Sequence, residues 1–228
     1  MPGSNVTQLN HVTMSMYGTH VEPEKKGCPC RWWTSSWRPL RIHPVIPSIR
    51  RREAIPAALA SRARAVLVSS GNIFNVCDCC LQLREHGKIV LVHIDLIGGL
   101  GRDQAAVRFL KEKAQAQGIV SPSGQVVTAG RKEGLITIHR LFALDSPSLD
   151  TGLKVLAQSR ADFIEVLPGV ALSQVAGVLR RHLTQPLIAA GLIRTVRDVK
   201  AALRAGSVAV DTSAEHLWDV SFREGDIA

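Results

Sequence analysis

Short apolar runs alternate with segments of helical spacing from about Ile42 to Val220. Continuous apolar runs are typical of strands buried on both faces of a parallel sheet, and apolar residues at every third or fourth position are typical of the helices that cover such a sheet. The pattern predicts eight strands: Ile42–Ile46, Ala65–Ser69, Ile89–Asp95, Gly118–Ser121, Leu135–Arg140, Asp162–Leu167, Pro186–Ala190 and Ser207–Asp211.

The segments between the strands begin and end with residues that commonly cap helices. Asn, Ser and Thr precede several of them, and glycines follow several of them. The predicted helices are Ser48 or Arg52 to Ser61, Asn72 to His86, Arg102 to Gln117, Ser123 to Lys132, Ser146 to Ser159, Ala171 to His182, Thr195 to Ala205 and Ser213 to Trp218.

Eight strands that alternate with eight helices predict an α/β fold, a compact TIM-like (β/α)8 barrel over residues 42–220. An open, doubly wound sheet is the structural alternative. The even spacing and the final strand–helix unit favour closure. Since barrels carry their ligand sites at the carboxyl ends of the strands, this end is where candidate residues are sought.

The two ends of the chain differ from this pattern. Residues 1–41 have no periodicity, contain Met14 and Met16 as alternative starts, and are expected to be a disordered or mis-annotated extension. Within them, Trp32, Trp33 and Trp37 lie among basic residues, a composition that could stack nucleic-acid bases. Residues 221–228 are expected to form a C-terminal tail.

Composition narrows the class of protein. With 46% hydrophobic and 21% charged residues, the 228-residue chain can bury one sizeable core. No apolar run approaches the roughly 20 residues of a membrane span, and no export signal is recognisable, so we expect a cytoplasmic protein without membrane contact. The net charge of +9 favours polyanionic partners such as nucleic acid.

The five cysteines predict free thiols. An odd number of cysteines in a chain without an export signal makes a disulfide framework improbable, and reduced side chains are expected. A four-thiolate zinc site is the alternative, but the C-x-C and C-x-C-C spacings are shorter than zinc ligands usually show. We therefore expect no metal; the cysteines are Cys28, Cys30, Cys77, Cys79 and Cys80.

The segment Lys88–Asp103 contains the strongest candidate for a binding site. His93 and Asp95 end an apolar run two residues apart, so both side chains should leave one face of the strand, and a glycine-rich loop follows. The alternative is a structural pair in which the two side chains satisfy each other. Other polar residues end other strands, and Glu165 inside a strand must face the barrel mouth, because burial of an unpaired carboxylate is costly.

The last two predicted strands carry the pattern of an anion site. The loop at Gly191–Leu192 and the segment Thr212–Ser213 each lead from a strand into a helix. Barrels often bind phosphate between these two loops, on backbone N–H groups near a helix N-terminus. The ordinary alternative is a pair of turns and caps. Neither a dinucleotide-binding G-x-G-x-x-G after the first strand nor a G-x-x-x-x-G-K-[ST] loop occurs.

Five segments in order resemble the glycerol-3-phosphate-responsive antiterminators, also called glycerol uptake operon antiterminator regulatory proteins. The resemblance spans about Ile42 to Val220. It implies a TIM-like barrel that binds glycerol 3-phosphate and then acts on the leader mRNA of glycerol-utilisation genes to prevent transcription termination. The segments are HIDLIGGLGRD (93–103), TIHRLFALDS (137–146), DFIEVLPG (162–169), AAGLIRT (189–195) and VDTSAEHLW (210–218).

The resemblance also implies how the effector would lie. Phosphate would contact the backbone of Gly191, Leu192, Thr212 and Ser213, Arg140 would neutralise its charge, and the hydroxyl groups would lie near His93, Asp95 and Glu165. No catalytic residue and no cofactor besides the effector are implied. The sequence departs from the usual family pattern at His139, Ala190 and Asp211. A carboxylate at Asp211 would repel a phosphate unless it turned away.

Basic residues suggest where RNA could bind. Arg194, Arg197, Lys200 and Arg204 recur at spacings of three, three and four, which gives one basic stripe on the seventh helix. A solvated charged face is the ordinary explanation for such a run. Two smaller arginine clusters lie at 50–64 and 180–181.

Two other functions are compatible with the sequence. An isomerase or aldolase-like barrel enzyme for a small phosphorylated sugar or triose could use His93, Asp95 and Glu165 as acids and bases. No lysine ends a strand, however, so Schiff-base chemistry would lack its nucleophile. A protein that uses its basic face near a membrane or a partner is the third possibility, and the intact set of mouth residues argues against it.

Overall fold

The computed structural model describes Leu40 and residues 43–222, and within them eight parallel strands form a closed barrel in sequence order. Each strand pairs with its neighbours in the chain, and the last strand pairs with the first. The predicted (β/α)8 architecture is therefore confirmed. The strands are β1 (Val45–Ile49), β2 (Ala65–Val68), β3 (Ile89–His93), β4 (Gly118–Ser121), β5 (Ile136–Phe142), β6 (Phe163–Leu167), β7 (Leu187–Ala190) and β8 (Ser207–Thr212).

Seven α-helices cover the outside of the barrel within the described residues. Each follows one of the first seven strands, as a right-handed strand–helix–strand crossover requires. They are α1 (Ile55–Ala60), α2 (Val76–Glu85), α3 (Gln104–Glu112), α4 (Gly124–Lys132), α5 (Ser146–Ala157), α6 (Leu172–His182) and α7 (Val196–Arg204).

Several predicted boundaries are wrong, in helices as well as in strands; the predicted helix Arg102–Gln117, for example, is Gln104–Glu112. The first strand is Val45–Ile49, not Ile42–Ile46, and Ser48 lies inside it instead of starting a helix. The barrel accommodates Pro47 opposite Thr212, although proline donates no ladder hydrogen bond. The predicted helix Ser213–Trp218 is only a 3-10 turn, Glu215–Leu217. The predicted third strand also stops early, at His93.

Side chains alternate between two apolar layers. Inward-facing residues such as Leu67, Leu91, Ile138 and Phe163 fill the barrel interior, together with Leu40. Outward-facing residues of the same strands pack against the helices in a larger core. Each fully buried Leu, Ile, Val or Phe contributes roughly 1.5–3 kcal/mol to stability. The interior is thus a packed core, and any ligand site must lie above it, at the carboxyl ends of the strands.

The predicted extension 1–41 and tail 221–228 lie largely outside the described residues. Of these two segments, Leu40 packs in the barrel interior, and Phe222 packs in the outer core beneath α7. None of the described helices has the length and apolar character needed to cross a membrane.

Candidate functional site

Six polar side chains form a layer directly above the apolar interior, which we call the mouth layer. Strand alternation sets their direction: Arg140 follows the inward-facing Ile136 and Ile138 on β5, and Asp211 follows the inward-facing Ala209 on β8. Five of the six residues are at least nine-tenths buried, and the side chain of Arg140 is almost as well buried. The mouth layer consists of Ser48, Ser69, His93, Arg140, Glu165 and Asp211.

Arg140 and Glu165 form an ion pair in the centre of the mouth layer. The strands β5 and β6 place these two residues directly opposite each other, and Arg140 Nε donates to Glu165 Oε2 at 2.5 Å. The side chains are only 11% and 2% exposed, so the pair is shielded from water. Among the described residues, the two Nη groups of Arg140 have no hydrogen-bond partner. They can therefore bind an anion while Nε stays anchored.

Asp211 extends this pair towards the barrel seam between β8 and β1. Burial raises the pKa of Asp211 well above its usual value, and the charge of Glu165 and a hydrogen bond with it raise the pKa further. The Arg140 charge and a hydrogen bond from Ser48 act in the opposite direction. Ser48 Oγ also lies 3.0 Å from Ser69 Oγ. Polar contacts therefore connect β5, β6, β8, β1 and β2 across the mouth.

His93 is held neutral on the other side of the layer. Burial and the Arg140 charge together lower the pKa of His93 to about 4, and the opposing effect of Asp95 is smaller than that of Arg140. His93 Nδ1 lies 3.8 Å from Asp95 Oδ2, a separation too long for a hydrogen bond. Asp95 is fixed from outside by Arg102, whose Nε lies 3.0 Å from Oδ1.

The predicted placement of Asp95 at a strand end is wrong, although its proximity to His93 is confirmed. The chain leaves the sheet at His93 and forms a 3-10 turn over Ile94–Leu96 that contains Asp95. The glycine-rich loop follows this turn, and Gly98 bonds to the loop after β2 through its N–H and its carbonyl oxygen. The turn therefore brings Asp95 back over His93.

The loop after β7 begins with two residues in the left-handed region, Gly191 (φ 81°) and Leu192 (φ 62°), which we call the phosphate turn. For a leucine, this conformation costs roughly 1–2 kcal/mol. The N–H groups of Gly191 and Leu192, and that of Ser213 after β8, have no hydrogen-bond partner among the described residues. Ala190 and Asp211 are ladder partners, so the two loops leave the barrel side by side.

Thr212 closes the junction between these two loops. Its hydroxyl donates to the carbonyl oxygen of Ile193 at 2.8 Å and accepts from the N–H of Ala214 at 3.1 Å. The hydroxyl of Thr212 is therefore occupied within the protein. Of the two predicted residues on this loop, Ser213 is the one with an open N–H group.

Gly169, after β6, permits a close backbone approach that supports the phosphate turn. A Cβ at Gly169 would lie 2.7 Å from the Ala190 nitrogen, which is closer than packed atoms can be. Gly169 N–H donates to the carbonyl oxygen of Gly191 at 3.1 Å. The loop after β6 thus fixes the base of the phosphate turn.

The N-terminus of α7 is already occupied by the protein itself. Thr195 accepts from the N–H of Asp198, and the Asp198 carboxylate accepts from the N–H groups of Arg194 and Thr195. The bond from Arg194 N–H holds the pKa of Asp198 below its usual value. An anion at this loop would therefore use the phosphate turn and not the first turn of α7.

The predicted basic stripe lies on α7 and just before it. Arg194, Arg197 and Arg204 are exposed. Lys200 is half-buried, and its Nζ lies 5.7 Å from the centre of the Phe222 ring. Arg194 is two residues beyond the phosphate turn, so the basic stripe begins next to this turn.

His139 does not reach the mouth, although it is next to Arg140 in sequence. It faces outwards, where Nε2 lies 3.1 Å from the carbonyl oxygen of Pro122 and Nδ1 lies 2.8 Å from Ser159 Oγ. A carbonyl only accepts, so Nε2 carries the proton and Nδ1 accepts from the serine hydroxyl. Burial lowers the pKa of His139, which is therefore a neutral packing residue.

Sequence reasoning missed Ser48 and Asp211 as members of the mouth layer. Ser48 was hidden by the misplaced first strand. Asp211 was recognised only as an unfavourable neighbour for phosphate. Strand alternation provides the signal that would find both, because each lies two residues after an inward-facing apolar residue, Ile46 and Ala209 respectively.

The described cysteines lie away from the mouth layer, on α2. Cys77, Cys79 and Cys80 are free thiols. Burial raises the pKa of Cys79 to about 11 and raises the pKa of Cys80 further. No group of three or more potential metal ligands occurs in the described part of the chain, and Cys28 and Cys30 lie outside it.

Comparisons with known proteins agree with this architecture. The chain is 35% identical to an uncharacterised protein of Escherichia coli K12, YgcP, over 182 residues, which is 80% of this chain and 95% of that protein. A likeness of fold alone is found with an aldolase, QR15, at 14% identity and a TM-score of 0.60, covering 79% of this chain and 93% of that one.

Two solved structures are more similar. The glycerol uptake operon antiterminator regulatory protein of Listeria monocytogenes superposes with a TM-score of 0.73 at 30% identity, covering 76% of this chain and 94% of that one. A glycerol uptake operon antiterminator-related protein of Thermotoga maritima gives 0.70 at 29% identity, covering 78% and 99%. The family model for glycerol-3-phosphate-responsive antiterminators matches residues 45–218, and the chain belongs to this family.

Proposed function

We propose that this protein is a cytoplasmic, non-enzymatic regulator that binds glycerol 3-phosphate at the mouth layer and then binds leader mRNA to prevent transcription termination. The proposal combines family membership with the chemistry of the mouth. The glycerol 3-phosphate would be an effector that is bound and released unchanged. No other cofactor is required.

The observation that carries the proposal is the combination of an anchored arginine with open backbone donors. Arg140 is fixed through Nε and has both Nη groups available, and the phosphate turn and Ser213 offer N–H groups without protein partners. A phosphate monoester needs such a set of donors, because its ionised oxygens accept hydrogen bonds and donate none.

The remaining mouth residues suit the glycerol part of the effector. A neutral His93, the Asp95 carboxylate beside it and Glu165 offer both donors and acceptors to hydroxyl groups. Asp95 Oδ2 and His93 Nδ1 are buried and have no hydrogen-bond partner among the described residues. A bound hydroxyl group would satisfy such atoms.

The basic stripe is the proposed RNA surface. Arg194, Arg197, Lys200 and Arg204 provide positive charge for phosphate groups of RNA, in a chain with a net charge of +9. The phosphate turn leads directly into this surface, and the Thr195–Asp198 cap ties the loop to α7. Effector binding at the turn would therefore favour one position of the stripe, to the extent that the effector binds that state more tightly.

A barrel enzyme is the weaker alternative. Within the described residues no lysine lies at the carboxyl end of a strand, and the buried Lys88 lies at the opposite end, where it donates to the carbonyl oxygens of Ser61 and Ala63. His93, with a pKa of about 4, is a neutral imidazole near neutral pH, so it is not a cationic general acid. Glu165 is engaged by Arg140. This arrangement favours binding over acid–base catalysis.

The decisive experiment measures binding of the purified protein to the leader RNA of its organism's glycerol genes, with and without glycerol 3-phosphate at fixed salt. The proposal expects tight binding only with the effector. Binding that is indifferent to the effector, or absent, would contradict it. Conversion of triose or sugar phosphates by the same preparation would favour the enzyme.

Matched variants separate the two sites. Arg140→Lys keeps the positive charge beside Glu165 but loses the two Nη groups that could contact the phosphate. It should weaken effector binding about 10- to 100-fold, as expected for the loss of one charge-assisted contact of roughly 1.5–3 kcal/mol. Arg194→Gln with Arg197→Gln should weaken RNA binding and reduce its salt dependence while effector binding is kept. The control of equal charge is Arg108→Gln with Lys111→Gln on α3, which should leave both unchanged.

A further inference from the structure

Among the ionisable residues of the mouth layer, Asp211 is the one that the proposed effector pose does not use. It is 6% exposed and contacts Glu165 and Ser48 through its carboxyl group. Its Oδ1 atom is buried and has no hydrogen-bond partner among the described residues. An unpaired buried oxygen is unfavourable, and a packed protein normally supplies a partner for it.

We propose that Asp211 determines ligand specificity at the mouth, by hydrogen-bonding a hydroxyl group of a phosphorylated polyol as one carboxyl pair with Glu165. This inference rests on the proposed function, because it assumes that a small phosphate ester binds above the mouth layer. It adds a recognition residue at a position where the chain departs from the usual family pattern.

The charges that surround Asp211 explain why it would bind a hydroxyl group and tolerate a nearby phosphate. Glu165 and Arg140 face it from β6 and β5, Ser48 faces it from β1, and its ladder partner on β7 is the apolar Ala190. Two ionised carboxylates beside one guanidinium would leave a net negative charge that repels phosphate. One shared proton removes this charge, and burial favours that state.

A protonated carboxyl group has both functions that a hydroxyl group needs. It donates one hydrogen bond and still accepts at its other oxygen. With its proton directed to Glu165, Asp211 has Oδ1 free to accept from the ligand. Inorganic phosphate has no carbon-bound hydroxyl group and gains nothing from this contact. Asp211 should therefore contribute to selection between esters, and little to binding of phosphate itself.

The test compares ligands that differ by one hydroxyl group. Isothermal titration calorimetry would measure glycerol 3-phosphate, the monophosphates of propane-1,3-diol and propane-1,2-diol, and inorganic phosphate. In the natural protein, at least one of the diol esters should bind about tenfold more weakly than glycerol 3-phosphate, as one lost hydrogen bond predicts. Asp211→Ala should reduce that ratio towards one and leave the affinity for inorganic phosphate unchanged.

Asp211→Asn keeps the shape of the side chain and its ability to form hydrogen bonds, but it cannot ionise. It keeps the test informative if the alanine variant does not fold. It should retain the preference for glycerol 3-phosphate. As the pH is raised, the natural protein should lose effector affinity as Asp211 releases its proton, whereas Asp211→Asn should lose less.

The outcomes separate this inference from the proposed function. If none of the phosphate esters binds the natural protein, the proposed function fails. If glycerol 3-phosphate binds but Asp211→Ala keeps the same ratio between ligands, or if Asp211→Asn shows the same alkaline loss as the natural protein, the role of Asp211 is refuted and the effector site stands.

Discussion

Replacing His93 with glutamine should remove an acid-sensitive part of the protein's stability. In the folded barrel, burial and the Arg140 charge lower the pKa of His93 to about 4, against 6.5 for a free histidine. At pH values between these two pKa values, His93 binds a proton in the unfolded chain and does not bind one in the folded protein. The free energy of unfolding therefore falls as the pH is lowered from 6.5 towards 4.

The size of this effect follows from the shift itself. Each pH unit between the two pKa values is worth about 1.4 kcal/mol, so His93 accounts for about 3 kcal/mol of lost stability across the window. His93→Gln has no proton to bind in either state. Whatever its stability near neutral pH, His93→Gln should gain about this amount of stability relative to the natural protein as the pH falls.

Urea unfolding followed by circular dichroism, at several pH values across that window, provides the measurement. His86→Gln, which removes an exposed histidine at the end of α2, is the matched control and should follow the natural protein. Parallel loss of stability in the natural protein and His93→Gln down to the acid end would show that His93 is not kept neutral by the fold, and would refute the reasoning.

Further predictions concern other sites. Gly169→Ala should destabilise the protein by about 1–3 kcal/mol and weaken phosphate-ester binding, because the new Cβ would lie 2.7 Å from the Ala190 nitrogen. The control is Gly177→Ala on α6, where the nearest atom to the new Cβ lies 3.9 Å away, and equal melting temperatures of the two variants would contradict the prediction. Asp211→Asn should become more stable relative to the natural protein as the pH rises, because the raised pKa of Asp211 means that the folded state holds a proton that the unfolded chain has released. Urea titrations in which the difference in unfolding free energy stays constant with pH would overturn this. Cys80 should resist alkylation by iodoacetamide until the protein unfolds, because burial raises its pKa, and mass spectrometry of the native protein that finds it modified would disprove this.

Much of the barrel could be predicted from sequence because its strands are buried on both faces. Such strands form short apolar runs that contrast with the helices, and the runs for β2 to β8 overlap the observed strands. The first strand could not be placed, since Pro47 breaks the pattern locally and only the pairing of β1 with β8 reveals that the strand continues. This pairing joins segments from opposite ends of the described chain.

The candidate site was predictable where the local sequence alone indicates which way a side chain faces. It was less predictable where the role of a residue depends on a contact with a residue far away in the sequence. Glu165 inside an apolar strand had to face the mouth, and it does. His139 and Arg140 are adjacent, and only the alternation of Ile136 and Ile138 indicates which of them faces inwards. Asp211 was judged as an isolated charge. Its raised pKa depends in part on the nearby Glu165, which lies on a different strand and is brought close only by barrel closure.

The closed seam between β1 and β8 has a consequence for how the protein is made. Ser48 is synthesised early and Asp211 late, yet the two meet across the seam in the mouth layer. During translation, the growing chain can form neighbouring strand–helix units, but the ring of strands stays open until β8 has left the ribosome. Contacts between such distant segments form slowly, because a long loop must close first. The mouth layer is therefore complete only after β8 has paired with β1 and β7, because a nascent chain that lacks β8 lacks Asp211.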